Sequence, residues 1–398
     1  MTLESLSESR ELSRLLRHGR RICARPSRAN LLVTQQLSSW TCVDLGCYPA
    51  SMLSQLRNLM VEAGVSFLWV SRPENIRYLT SFTAPDDARV LVTPDDAVLY
   101  TDSRYTLQAT QEYSGPIEIL RGLDVQRHAV ARVGLESMGF EAEHCTFQEA
   151  LGLSEAFGRS ITPTRELIER VRLVKTEAEV AKIRRAAEIT DAALAATLPL
   201  VRPGVTELDL ALELEFHARR HGANGVAFEL IVASGPRGAM PHGAASTRAL
   251  QDNELVTFDI GFTFDGYNSD MTRTVAVGEP GESLRAVYRV VREAQSAGVR
   301  AVKPGVSAGS VDEAARAVIT RAGYGASFTH STGHGVGLAI HEGPAVSSTG
   351  SVILQPGMVI TVEPGIYLPN QGGVRIEDLI LVTDTGADVL SRAPKADL

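Results

Sequence analysis

Two short segments of the chain repeat one pattern: Val256-Thr-Phe-Asp-Ile-Gly-Phe262 and Ile360-Thr-Val-Glu-Pro-Gly-Ile366. On a β-strand successive side chains point to opposite faces. Val256, Phe258, Ile260 and Phe262 then face one way, and Thr257, Asp259 and Gly261 the other. Thr361, Glu363 and Gly365 stand in the same relation to Ile360, Val362 and Ile366. Each segment aims one carboxylate away from an apolar layer. A turn follows, Asp265-Gly266 or Asn370-Gln-Gly-Gly373, and then a return strand bearing Asp270 or Glu377. In a hairpin centred near Phe264-Asp265, Asp259 is expected to lie opposite Asp270. Any one of these carboxylates reads most simply as a solvated surface residue. Carboxylate pairs at equivalent points of a repeat do not, because like charges opposed on a sheet destabilise it unless a cation joins them.

Histidine enters in Thr329-His330-Ser-Thr-Gly-His334-Gly-Val-Gly-Leu-Ala-Ile-His341-Glu342-Gly-Pro344. A helix would stack His334 on His341, but Gly333, Gly335 and Gly337 would cost it about 1 kcal/mol each. A regular strand would send the two histidines to opposite faces. A bulged or bent glycine-rich strand is required for both to reach one cleft. Carboxylate and imidazole donors without thiolate suit Mn²⁺, Co²⁺ or Zn²⁺. His334 with Asp259, Asp270, Glu363 and Glu377 exceeds the ligand set of one tetrahedral zinc. Two divalent ions about 3.5–4 Å apart, bridged by hydroxide, match that ligand set.

The elements that must hold these residues are legible around them. Leu56, Met60 and Ala63 mark an amphipathic stretch, the run Val65 to Val70 a buried strand, and Arg89 to Leu91 with Ala97 to Tyr100 a hairpin around Pro94-Asp95-Asp96. These form a small α/β domain over residues 52–165. Thr176 with Glu179 makes a capping box, so a long helix should begin there and open a second domain over residues 170–398. Within that domain Val201-Arg-Pro-Gly-Val205 and Val302-Lys-Pro-Gly-Val306 each precede a helical pattern, which adds to the strand repeat. Two similar α/β halves facing each other across a cleft follow. Residues 1–51, rich in Arg and Ser but also holding Glu4, Glu8 and Glu11, read as a dispensable extension and not as a targeting peptide.

Composition narrows the partners. Of 398 residues 44% are hydrophobic, as in a globular protein, and the net charge of −8 offers no basic field for nucleic acid. Four cysteines, Cys23, Cys42, Cys47 and Cys145, make a disulfide framework unlikely and fit a reducing cytoplasm. No run of about eighteen apolar residues suggests a membrane span.

These motifs resemble the creatinase/prolidase/methionine aminopeptidase family of pita-bread metallopeptidases, in its Xaa-Pro aminopeptidase and prolidase branch. The resemblance covers residues 52–398 and rests on Asp259-Ile-Gly, Ser269-Asp270-Met-Thr-Arg-Thr274, Gly333-His334-Gly-Val-Gly337 with His341-Glu342, Val362-Glu363-Pro-Gly365 and Gly373-Val-Arg-Ile-Glu377-Asp378. Pro73-Glu-Asn-Ile-Arg-Tyr78 and Thr101-Asp-Ser-Arg-Tyr105 resemble the creatinase-type N-terminal domain. The resemblance implies an α/β pita-bread catalytic domain with a pseudo-twofold repeat, and a homodimer. It implies that Asp259 chelates one ion, that Asp270 and Glu377 bridge both, and that His334 and Glu363 hold the other. It also makes Glu363 a proton shuttle, places His242 near the leaving group and sets His341 against the scissile carbonyl. Two positions depart from the family: Phe264 stands where Tyr is frequent, and Ala345 where many prolidases carry the Arg that binds a dipeptide carboxylate. Ala345 favours an Xaa-Pro aminopeptidase, acting with Mn²⁺ on peptides whose second residue is proline, over an Xaa-Pro dipeptidase. Arg375 or Arg104 could replace the missing cation in the dipeptidase reading. A non-catalytic scaffold is disfavoured because all five ligands are present.

Overall fold

The computed structural model describes residues 50–398. The expectation for residues 1–51 therefore lies, but for its last two residues, outside the described part.

The chain opens with α1 (Ala50–Glu62), β1 (Phe67–Val70), α2 (Pro73–Thr80), β2 (Arg89–Val92), β3 (Ala97–Thr101), α3 (Thr106–Glu112) and β4 (Ile117–Ile119). It continues through α4 (Leu123–Val133), β5 (Met138–Glu141), α5 (Phe147–Phe157), β6 (Thr162–Thr164) and α6 (Leu167–Arg172). The strands form one sheet in the order β4-β3-β2-β1-β5-β6. All four residues of β1 are buried because the strand is covered on both faces. Leu68 and Val70 pack with Leu56 and Met60 of α1, and Phe67 and Trp69 with Ala129 and Val133 of α4. The expected hairpin is β2–β3, with Arg89 paired to Tyr100.

The first half of the second domain comprises α7 (Glu177–Thr197), α8 (Glu207–Arg220), β7 (Gly225–Val226), β8 (Ile231–Ser234), β9 (Glu254–Ile260), β10 (Phe262–Phe264), β11 (Tyr267–Asn268) and β12 (Met271–Val277). Thr176 and Glu179 cap α7 reciprocally, as the sequence requires. The second half comprises α9 (Glu282–Ala301), α10 (Ala308–Arg321), β13 (Gly333–Gly335), β14 (Glu342–Val346), β15 (Val359–Val362), β16 (Gly365–Leu368), β17 (Gly372–Arg375), β18 (Asp378–Val382) and β19 (Ala387–Val389). Its main sheet runs β14-β13-β15-β18-β19, against β12-β9-β8 in the first half. The repeat is visible in detail. Gly204 and Gly305 take positive φ ahead of α8 and α10, and Thr206 and Ser307 cap those helices through their side chains. The apolar faces separate as the alternation demands: Val256, Phe258, Ile260 and Phe262 pack with Leu210 and Leu214, and Ile360 and Val362 with Val302 and Val311.

One expectation about register is corrected. Asp259 pairs with Thr272, not Asp270, and Ile260 with Met271. The cause lies in the turn. Asp265 and Gly266 both take positive φ, at 46° and 80°, and Phe264 pairs with Tyr267 across them. Two left-handed residues are what a two-residue hairpin turn demands, so the hairpin centres between Asp265 and Gly266, one residue later than expected. Asp259 and Asp270 thus share a face diagonally instead of standing opposite.

Candidate metal centre

The two return strands bring the halves together. Thr272 Oγ1 donates to Glu377 Oε2 at 2.8 Å, the Glu377 amide donates to the Thr272 carbonyl at 3.1 Å, and Thr274 Oγ1 donates to the Arg375 carbonyl at 2.9 Å. Glu377 is thereby fixed against the strand that carries Asp270. Glu363 lies just beyond β15, its amide donating to the Thr332 carbonyl at 2.7 Å. Thr361 Oγ1 accepts from the His334 amide at 3.1 Å and donates to Glu363 Oε1 at 3.2 Å. That hydroxyl couples the histidine strand to the glutamate.

The glycine-rich segment bends as its histidines require. Pairing of β13 with β14 shifts register between Gly333 and Gly335. A Cβ would fall 2.1 Å from the Thr361 carbonyl at Gly333 and 1.8 Å from the Gly343 carbonyl at Gly335, so only glycine permits these strands to approach. The His334 and His341 rings come edge to face, 4.4 Å between centroids. His334 Nδ1 lies 3.0 Å from the Gly335 carbonyl, a contact that fixes the proton there and leaves Nε2 as a lone pair. Nε2 is 3.5 Å from Asp270 Oδ2 and 3.4 Å from Glu363 Oε1. Ligand atoms of Asp270, His334 and Glu377 all fall within 4.8 Å of one another.

Electrostatics identify what this set is built to hold. Burial first, and then their mutual repulsion with Asp259, raises Asp270 and Glu377 well above the usual carboxylate range. Burial first, and then Asp259, pushes Glu363 up to about 8. Burial also lowers His334 to about 4, which keeps the imidazole neutral and able to ligate at neutral pH. Buried carboxylates converging on a neutral imidazole are costly in themselves and become favourable around divalent charge. The donor set therefore fits divalent metal, with Asp270, His334 and Glu377 the three residues whose ligand atoms group most tightly among the described residues.

The arginine expected to meet substrate has a different partner. Arg375 is buried, and its Nη2 donates to Asp259 Oδ2 at 2.5 Å, its Nη1 to Tyr367 Oη at 2.7 Å and its Nε to Thr272 Oγ1 at 3.1 Å. Its guanidinium is committed to Asp259, Tyr367 and Thr272 inside the protein and is not exposed to a peptide terminus. Tyr367 continues the chain to His330, whose Nε2 is 2.8 Å from the phenol oxygen. Neither Tyr367 nor His330 had a role from sequence, because their link to Asp259 runs through residues of both halves. The other candidate cation, Arg104, is paired with Asp87 and Asp102 in the N-terminal domain.

His242 and His341, the two histidines expected to meet substrate, are both exposed, and so is Ala345. The loop bearing His242 is bracketed by a fully buried carboxylate. Glu207 accepts from the amides of Ser234 and Ser246 at 2.8 and 3.1 Å and from Arg237 Nε at 3.0 Å. Glu342, next to His341, is anchored by the buried cations Arg172 and Lys175, with Lys175 Nζ at 2.7 Å. Arg172 Nη1 also donates to Asn75 Oδ1 at 2.7 Å, and Asn75 Nδ2 donates to Glu141 and Glu169. The segment around His341 is thus tied to the N-terminal domain.

The model of metallopeptidase family M24 matches residues 181–384, and that of the creatinase/prolidase N-terminal domain matches residues 52–174. The chain is similar to a solved Xaa-Pro dipeptidase from Bacillus anthracis, at 41% identity and a TM-score of 0.84 over 87% of this chain and 98% of that one. A second relative, an Xaa-Pro dipeptidase from Pyrococcus furiosus, is 36% identical over 86% of this chain and 98% of its own length. A solved X-Pro aminopeptidase from Thermotoga maritima is also 36% identical, with a TM-score of 0.80 over 86% and 98% of the two chains. Among the described residues no helix is long and apolar enough to cross a membrane.

Proposed function

Because the chain belongs to metallopeptidase family M24, we propose that it is an Xaa-Pro dipeptidase working through two divalent ions held by Asp259, Asp270, His334, Glu363 and Glu377. The observation that carries the chemistry is the convergence of Asp270, Glu363 and Glu377 on the Nε2 lone pair of His334. Near full-length likeness to proteins named Xaa-Pro dipeptidase supports the second of the two sequence readings over the aminopeptidase placed first on Ala345. Carboxylate and imidazole donors favour Mn²⁺, with Co²⁺ or Zn²⁺ as substitutes.

When bound, the ions supply Lewis acidity to the scissile carbonyl and lower the pKa of a water nucleophile. The protein's own groups do the rest. Glu363, whose Oε1 lies 3.4 Å from His334 Nε2, would accept a proton from the attacking water as its carboxylate and pass it to the departing proline nitrogen. His341, edge to face with His334, orients the carbonyl oxygen. His242 lies beside the leaving proline, and we assign it the adjacent free carboxylate, since Arg375 is spent on Asp259 and Ala345 offers no donor. As elsewhere in the family, the working unit is taken to be a homodimer. The test compares kcat/KM for Ala-Pro and Ala-Pro-Ala on the Mn²⁺-loaded enzyme. A preference for the dipeptide is expected, and a strong preference for the tripeptide would return the assignment to an aminopeptidase.

A further inference from the structure

On the far side of β18 from the metal centre, a cavity of about 370 Å³ opens between α9 and the segment after β19. Its volume lies within the range of small-molecule sites. Arg273, Arg300 and Lys395 line it with a single carboxylate, Asp378, while Val299 and Val389 give it an apolar wall. Asp378 is wholly engaged: Oδ1 accepts from Arg273 Nη2 at 2.7 Å, and Oδ2 from Lys395 Nζ at 2.6 Å and Gln295 Nε2 at 2.9 Å. Three lining cations against one lining carboxylate leave the cavity with an excess of positive charge, which Asp191, held on the Arg392 and Ala393 amides and within electrostatic reach of Arg273 and Asp378, reduces without cancelling. Lys395 spends two of its three donors, on Asp378 and on Gln295 Oε1 at 2.8 Å, and keeps one. Arg300 has no ion-pair partner among the described residues, so its guanidinium is available at the rim.

We propose that this cavity is a second ligand site that takes a small aliphatic carboxylate. Its head would sit between Arg300 and Lys395 in charge-assisted hydrogen bonds, and its hydrocarbon would lie on Val299 and Val389. The apolar wall favours an organic carboxylate over inorganic phosphate. The site is wired to the metal centre by one residue, since Arg273 also donates to the backbone carbonyls of Thr272 and Glu377. A ligand drawing on this charge cluster therefore bears on the strand ends that present Glu377.

The experiment is isothermal titration of the full-length, Mn²⁺-loaded protein with isovalerate, with isovaleramide and inorganic phosphate as comparison probes. Saturable binding of isovalerate is expected, weakened tenfold or more in Arg300→Ala and in Lys395→Met, with no binding of the amide. Turnover without isovalerate should be unchanged in Arg300→Ala. Isovalerate affinity that is the same in both variants would place the anion at the metal ions and overturn the proposal. Equal binding of phosphate would overturn the carboxylate assignment, and so would binding of the amide. Because the readout is binding, this outcome is independent of which peptide the enzyme cleaves.

Discussion

Arg375 Nη2 lies 2.5 Å from Asp259 Oδ2, a buried contact that joins β17 of one half to β9 of the other. The guanidinium simultaneously grips Tyr367 and Thr272, so its planar fork fixes the direction in which Asp259 presents its remaining oxygen. Arg375→Lys preserves the charge and loses the fork. Metal affinity should fall by about 10–100-fold, as when a ligand loses its orienting partner. Titration of the chelator-stripped variant with Mn²⁺ checks this, and unchanged affinity would leave Arg375 without the positioning role.

His341→Ala and His242→Ala remove exposed groups that lie outside the proposed ligand set. Each should lower kcat/KM by roughly 10²–10⁴ while two ions remain bound. For His242 the loss should be larger on Ala-Pro than on its C-terminal amide. Loss of an ion in His341→Ala, measured by elemental analysis, would show that this histidine is a ligand.

Stability of the metal-free protein should depend on pH in a direction set by the carboxyls. Glu363 rises from 4.5 to about 8 on folding, so its contribution is fully present below pH 4.5 and is lost as pH rises through 8. His334 falls from 6.5 to about 4, so its contribution is complete above pH 6.5 and opposes the trend only below that. Between pH 6.5 and 8 the chelated protein should therefore lose stability as pH rises. Glu363→Gln should flatten the slope, and Mn²⁺ should abolish it. Thermal unfolding across that window with and without chelator reads all three, and stability that climbs with pH in the chelated wild type would contradict the shift.

Much of this was legible from residues alone, for a physical reason. The alternation in Val256–Phe262 and Ile360–Ile366 specifies which side chains face the core, so Asp259 and Glu363 could be placed on the open face without coordinates. Glycines around His334 could likewise be read as a bent strand. The registry of Asp259 with Thr272 was missed because it turns on whether Asp265 or Gly266 ends the turn, a choice of one residue. The bond of Arg375 to Asp259 was not foreseen because the partner is distant in the chain, and sequence spacing says nothing about such pairings. The same holds for His330 with Tyr367 and for Asn75 with Arg172.

Glu342 offers a test of the tie to the N-terminal domain. Its side chain and those of Arg172 and Lys175 are only 6, 3 and 1% exposed, so removing the carboxylate strands two buried cations. Glu342→Ala should cost about 3–5 kcal/mol of stability. Urea unfolding of the Mn²⁺-loaded protein would measure it, and a loss under about 1 kcal/mol, the level of an exposed pair, would mean the network is solvated.

The two-ion centre itself is tested most directly by following hydrolysis of Ala-Pro while chelator-stripped enzyme is titrated with Mn²⁺. Activity should rise to a plateau at two equivalents per chain. Asp270→Asn and Glu377→Gln, which remove the carboxylates that we propose bridge the ions, should stay folded, bind fewer ions and remain inactive at any Mn²⁺ concentration. Full turnover by the stripped enzyme, or by either variant, would contradict the assignment.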